Sequence, residues 1–325
     1  MFYAKSLLAA LALLGFSRIV WSQAIPAAST TAAQVQEFEN PVTELKKTVV
    51  FLRMVCTDGN QVYTSEGTGF LVAVQSPDKS AFTSYLVTNR HVAYPARAGV
   101  RLNVTAAFVR VNLRRGGSTD IPLPLLPKWL TSADASVDLA VLPFLPPPDI
   151  VDFKAIPLSD LIDREQMRQS GLAEAQHILF AGFFKQYPGE ARMEPIVRQG
   201  IIAMLPDEKI PEEGGYQADL YLADTHSFHG NSGSPVFTDV GSGFQRQGLM
   251  IGAPRYVVIG VINGFFSEEA PLRAVPSSTL EGVAESNSGI ATIVPAGEIL
   301  DILNMDSVKA KREADWKSFS QVSAH

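Results

Sequence analysis

Short runs rich in Val, Ile, Phe and Leu recur along most of this chain, separated by Gly, Pro, Asn and Asp. They include residues 47–55 (KTVVFLRMV), 69–74, 85–88, 106–111 and 137–142, then 178–183, 196–204, 220–223, 234–237, 257–262 and 290–294. Runs of this length, broken by turn residues, build a sandwich or barrel of strands. Helical periodicity is confined to 158–168 and to the stretch from Ala296, where GEILDILN (297–304) gathers apolar residues on one face. The fold class predicted is therefore all-β with a short C-terminal helix. Pro146, Pro147 and Pro148 cannot continue a ladder, because proline donates no backbone hydrogen bond, and they divide the strand-rich chain into two comparable halves.

With 46% hydrophobic and 18% charged residues, the 325-residue chain has the balance of a globular protein and length for one large or two modest domains. Its net charge of −6 argues against a nucleic-acid partner, which would call for a basic excess. The one basic cluster, Arg110, Arg114 and Arg115, sits beside Gly116 and Gly117 and reads as the solvated end of a hairpin. Cys56 is the only cysteine, so no internal disulfide can form and the core must hold the fold. It follows the apolar stretch 49–55 and reads as a buried small hydrophobe, since no histidine motif stands near it in sequence to make it a nucleophile.

At the N-terminus, Lys5 precedes an apolar run from Leu7 to Phe16 that Arg18 closes. The run is shorter than the roughly 20 residues a membrane span needs and fits a removable secretory peptide over 1–24. An uncleaved anchor is the alternative. Val20 with Ser22, or Ser22 with Ala24, offers the small residues of a cleavage site. Residues 25–44 read as a flexible leader. No membrane span is expected once the signal is removed.

Three segments carry chemistry. In GNSGSPVF (230–237), Ser232 stands between glycines. Glycine before it lets the backbone turn so that the N–H groups of Gly230 and Ser232 point into one spot, as an oxyanion hole needs. Alone, the segment could be a turn between strands. In LVTNRHV (86–92), an apolar strand delivers His91 at its end, where a general base beside a cleft belongs. In SVDLAVL (136–142), Asp138 opens an apolar strand, a costly place for a carboxylate without a partner. An imidazole N–H would be that partner and would fix the histidine tautomer. Asp134 is the rival carboxylate, but it lies in a polar stretch.

Together the three segments, in the order His, Asp, Ser, resemble the trypsin-like serine peptidases, and within them the bacterial HtrA-type branch. EGTGF (66–70), VRQGII (197–202), VIGVING (258–264) and GIATIVP (289–295) extend the likeness over about residues 45–304. An α/β-hydrolase elbow is disfavoured, because Ser234 stands where G-x-S-x-G requires its last glycine. The resemblance implies two packed antiparallel six-stranded Greek-key barrels. It implies an exported endopeptidase acting on a protein or peptide through an acyl-enzyme, with His91, Asp138 and Ser232 as the triad. It also implies a primary pocket walled by Thr225, His226 and His229 before the nucleophile and by Asn263 and Gly264 opposite.

His226 occupies the position where trypsin carries an aspartate, so basic side chains would meet no counter-charge there. Asn231 replaces the aspartate that pairs with a newly cut amine in digestive relatives, so that activation switch is not expected. HtrA-type proteins usually add a PDZ domain, and none is expected here. The rival from another class is a catalytically silent or gated protease-like binding module.

The implied organisation is an N-terminal barrel over 45–145, a linker over 146–154, a C-terminal barrel with its closing helix over 155–304, and a tail over 305–325. Asp224, His226 and His229 fall short of the four placed ligands of a closed zinc site, so neither metal nor cofactor is expected. His177 precedes an apolar strand and reads as structural.

Overall fold

The computed structural model describes residues 40–322, apart from 60, 125–126, 212–215, 246–247, 251–252 and 272–282. The expected signal peptide, the leader up to residue 39 and His325 lie outside the described residues.

In the N-terminal half, β1 (Val49–Asp58), β2 (Gln61–Gln75), β3 (Phe82–Thr88), β4 (Asn103–Asn112), β5 (Ser118–Pro122) and β6 (Ala140–Pro143) form an antiparallel sheet. Their order is β5-β4-β1-β2-β3-β6, and β7 (Ile156–Pro157) adds to β2 in parallel. In the C-terminal half, β8 (His177–Gly182), β9 (Ile196–Met204), β10 (Tyr221–Asp224), β11 (Pro235–Asp239), β12 (Tyr256–Pro271) and β13 (Val283–Pro295) close into a barrel in the order β8-β9-β10-β13-β12-β11.

Each half thus has six principal antiparallel strands, but only the second closes by ladders alone. Among the described residues no ladder joins β5 to β6. The segment after β5 spans that gap: Leu130 and Val141 exchange both backbone bonds (2.7 and 2.8 Å), and Leu123 and Trp129 join the inner core.

The core explains the continuous apolar runs. Leu71 and Leu86 lie inside the N-terminal barrel with Leu52, Met54 and Cys56. Their neighbours Phe70, Val72 and Val87 pack between the halves against Val258, Val261 and Val294. A strand buried on both faces has no place for polar alternation, which is why 69–74 reads GFLVAV. Full burial of each such side chain contributes about 1.5–3 kcal/mol. Cys56 is buried, and burial pushes its thiol above the usual range, away from the reactive thiolate.

Short helices frame the sheets. Asn40 caps α1 (Pro41–Lys46) through its side chain, and α2 (Arg90–Ala93) is a single turn after β3. The periodic stretch 158–168 divides into a tight turn, Leu158–Asp160, and α3 (Arg164–Gln169). The break is chemical. Asp163 accepts from the Gln166 N–H (2.8 Å) while the Gln166 side chain accepts from the Asp163 N–H (2.9 Å), a reciprocal cap that starts the helix there. After α4 (Ala296–Asn304), the residues read as a tail form α5 (Asp306–Val322). Its Val308 and Arg312 are buried, and Arg312 donates to the Leu303 carbonyl (3.1 Å) and to the Tyr85 hydroxyl of β3 (3.3 Å). The proline-rich connection is also held down: Asp152 donates to Asn112, Arg114 to Ile150 and Lys154 to Lys47 along the N-terminal half.

Candidate active site

The ladder between β3 and β6 builds the first part of the site. Thr88 pairs with Ala140, so the residues just beyond each strand end, His91 and Asp138, are brought side by side. The turn of α2 then presents His91 twice to one carboxylate. Its backbone N–H donates to Asp138 Oδ1 (2.9 Å), and its Nδ1 lies 2.5 Å from Oδ2. The Asp138 carbonyl accepts from the side chain of buried Asn89 (3.0 Å) and from the Arg90 N–H (3.3 Å). The carboxylate side chain is 21% exposed and the imidazole 49%. Asp138 can therefore orient a ring that is itself half exposed. Asp134 is spent elsewhere: it accepts from Ser136 N–H and Oγ–H (2.9 and 2.7 Å) and pairs with Lys209.

Ser232 sits on the loop between β10 and β11. The loop is a chain of interlocked turns, with Asn231 N–H donating to Phe228, Ser234 N–H to Asn231 and Gly233 N–H to Ile262, all at 2.9 Å. Gly230 and Gly233 adopt φ of +99° and +88°, a region that other residues reach only with strain. At Gly233 there is also no room, since a Cβ would lie 1.9 Å from the Thr68 carbonyl oxygen. Neither the N–H of Gly230 nor that of Ser232 donates to a backbone acceptor among the described residues. The Ser232 hydroxyl donates to the Asn263 carbonyl (3.0 Å).

Buried Asn231 braces the loop through both ends of its amide. Its Nδ2 donates to the Phe183 carbonyl (2.8 Å), and its Oδ1 accepts from the Phe228 N–H (3.0 Å). A carboxylate can do only the second. Asn231→Asp is therefore expected to place an uncompensated charge against the Phe183 carbonyl and cost about 3 kcal/mol. A lower urea midpoint at neutral pH, with an unchanged denaturant slope, is the measurement that checks it.

The expected pocket residues divide into buried and exposed ones. Thr225 is buried, with its N–H on the Gly289 carbonyl (2.9 Å) and its hydroxyl on that of Gln199 (3.0 Å). His226 is exposed, stacks on Phe228 (6.4 Å between ring centroids, 22°) and lies beside Gly289. His229 is exposed and meets Phe265 edge-on (5.9 Å, 68°). Asn263 is buried, and Gly264 leaves its side of β12 open, the nearest atom to a Cβ there being Thr292 Oγ1 at 3.7 Å.

Sequence reasoning missed Phe183 and Thr68 as parts of this site. Both hold the loop from other strands, and the only local sign is a hydroxyl set among glycines and apolar residues in EGTGF. Among the described residues no group of three or more His, Cys, Asp or Glu converges as a metal site would require.

The fold is that of a trypsin-like serine endopeptidase. The model of the trypsin-like peptidase domain matches residues 67–242, more than half of the chain, and the chain belongs to that family. Solved structures of similar fold include Deg5 (17% identity, TM-score 0.43, covering 80% of this chain and 88% of that one). The Rv3671c protease from M. tuberculosis in its active form shares 19% identity at TM-score 0.42, covering 81% and 82%. The HtrA-type protease AlgW, solved with a decapeptide, shares 19% at TM-score 0.44, covering 81% and 65%. No curated protein sequence matches the chain.

Proposed function

We propose that the chain is an exported endopeptidase that cleaves peptide bonds through an acyl-enzyme, with His91, Asp138 and Ser232 as its triad. The observation that carries this reading is the 2.5 Å contact between His91 Nδ1 and Asp138 Oδ2, together with a serine loop whose Gly230 and Ser232 N–H groups have no backbone acceptor among the described residues.

The chemistry then follows from the residues. The Ser232 hydroxyl turns from the Asn263 carbonyl towards His91, and Oγ attacks the substrate carbonyl as its proton passes to the imidazole. The oxyanion takes the N–H groups of Gly230 and Ser232. The C–N bond breaks as the imidazolium gives its proton to the leaving amine. Water repeats the attack on the ester, its proton again going to His91, and the acid product departs as Ser232 recovers its proton. Asp138 holds the ring throughout and stabilises its cation.

Substrate enters as an extended strand. β11 pairs with β12 only as far as Val261, so beyond Asn263 that edge has no ladder partner among the described residues, and an open strand edge accepts a peptide backbone. The stretch 1–24 fits a secretory signal, and no helix among the described residues is long and apolar enough to cross a membrane. The bond from Ser232 to Asn263 favours a second reading, a gated site whose nucleophile rests turned away from its base.

With His226 in the pocket, side chains of Lys and Arg meet no counter-charge. Digestion of an unfolded protein by the purified enzyme, with product ends read by mass spectrometry, should give internal cuts few of which follow Lys or Arg. Efficient, selective cutting after Arg would overturn this pocket assignment.

A further inference from the structure

We propose that Thr68, on β2 of the N-terminal half, is a positioning residue that sets the oxyanion hole built by the C-terminal half. The proposal rests on the reading of Ser232 as the nucleophile. Thr68 is fully buried and spends every polar group on this task or on its own support. Its N–H donates to the Ser232 carbonyl (2.9 Å). Its hydroxyl donates to the Gly230 carbonyl (2.7 Å) and accepts from the Phe183 N–H (2.8 Å). Its own carbonyl accepts from the Thr88 hydroxyl (2.7 Å).

These contacts fall where they control the donors. The Gly230 carbonyl belongs to the peptide plane joining Gly230 to Asn231, and the Ser232 carbonyl to the plane joining Ser232 to Gly233. Thr68 thus pins a plane on each side of the one that carries the Ser232 N–H. Gly230 lacks a side chain and sits at φ +99°, so its backbone has other conformations open to it. The hydroxyl bond to its carbonyl selects one of them. The same oxygen steadies Phe183, whose carbonyl receives Asn231 and whose ring leaves no space for a Cβ on Gly230 (2.7 Å). Only a group that donates and accepts through one atom can hold Gly230 and Phe183 together. A hydroxyl does this, whereas an isosteric methyl does neither.

The predicted signature is a loss in the chemical step with substrate binding retained. Thr68→Val keeps the shape and removes the hydroxyl, which should lower kcat about 10- to 100-fold, short of or level with the loss of a whole oxyanion donor. KM should stay within about threefold, because the pocket wall and the β12 edge are untouched. Thr68→Ser restores the donor and acceptor and should bring kcat back to within about fivefold of wild type.

Assays run on the purified chain after wild type has reacted with a fluorophosphonate and Ser232→Ala has not. If wild type fails to react, the reading of the site fails, a result separable from any result on Thr68. A Thr68→Val enzyme with wild-type kcat overturns the proposal, as does a Thr68→Ser enzyme as impaired as Thr68→Val at matched thermal stability. If Thr68→Val does not fold, Thr68→Ala deletes the same hydroxyl with less bulk, and the same split of kcat from KM decides.

Discussion

Ser232→Ala should abolish peptide hydrolysis and fluorophosphonate labelling together, a loss of about 10⁴- to 10⁶-fold in rate. The magnitude follows from what the atom does, since no other hydroxyl on the loop can replace it. Ser227 and Ser234 are buried, and Thr225 is committed to Gln199. The fold should survive, because the Ser232 hydroxyl makes one hydrogen bond among the described residues, to the Asn263 carbonyl, while the backbone of the loop is held by Thr68, Asn231 and Ile262. Thermal unfolding within a few degrees of wild type, alongside lost labelling, checks both halves of the expectation. Retained labelling would move the nucleophile elsewhere and overturn the assignment.

Asp138→Asn should cost about 10⁴-fold in kcat, the scale for a triad carboxylate whose loss leaves the ring in the wrong tautomer. Asp138 accepts twice from His91, once from the backbone and once from Nδ1. Asparagine has one accepting oxygen and one donating nitrogen. If the oxygen keeps the His91 backbone N–H, the amide N–H faces Nδ1 and forces the proton onto Nε2. The nitrogen that must take the serine proton is then already occupied. Crystal geometry close to wild type with kcat reduced across the neutral pH range is the expected pair of results. An Asp138→Asn enzyme within tenfold of wild type would show that another group orients His91, and Asp134 is then the carboxylate to test.

Part of the candidate site was readable in the chain because chemistry dictates residue type. A serine between glycines, a histidine at a strand end and an aspartate before an apolar strand are local patterns, unspecific singly and specific only in their order together. The strand runs were as legible, since burial on one or both faces imposes its own periodicity. What escaped is what depends on distant partners. Thr68 lies 162 residues from Gly230, so nothing in EGTGF announces where its hydroxyl goes. Asn231 could be read as lacking a charge but not as a two-ended brace. The open path between β5 and β6 depends on where strand ends fall, which residue pattern does not set. Residues 306–322 read as a solvated helix or loose tail because charge dominates them, while a few inward residues such as Val308 and Arg312 hold the helix down.

The bond between Tyr85 and Arg312 joins residues 227 apart, and that spacing governs timing. At a synthesis rate of about 5–20 residues per second, roughly 10–45 s pass between the two. The wait from Thr68 to Gly230 is of the same order. An emerging chain therefore displays the strands of its first half, histidine included, well before anything exists for them to act with. The candidate site can assemble only once residues of both halves have emerged, so the chain carries its first-half strands incomplete over that interval.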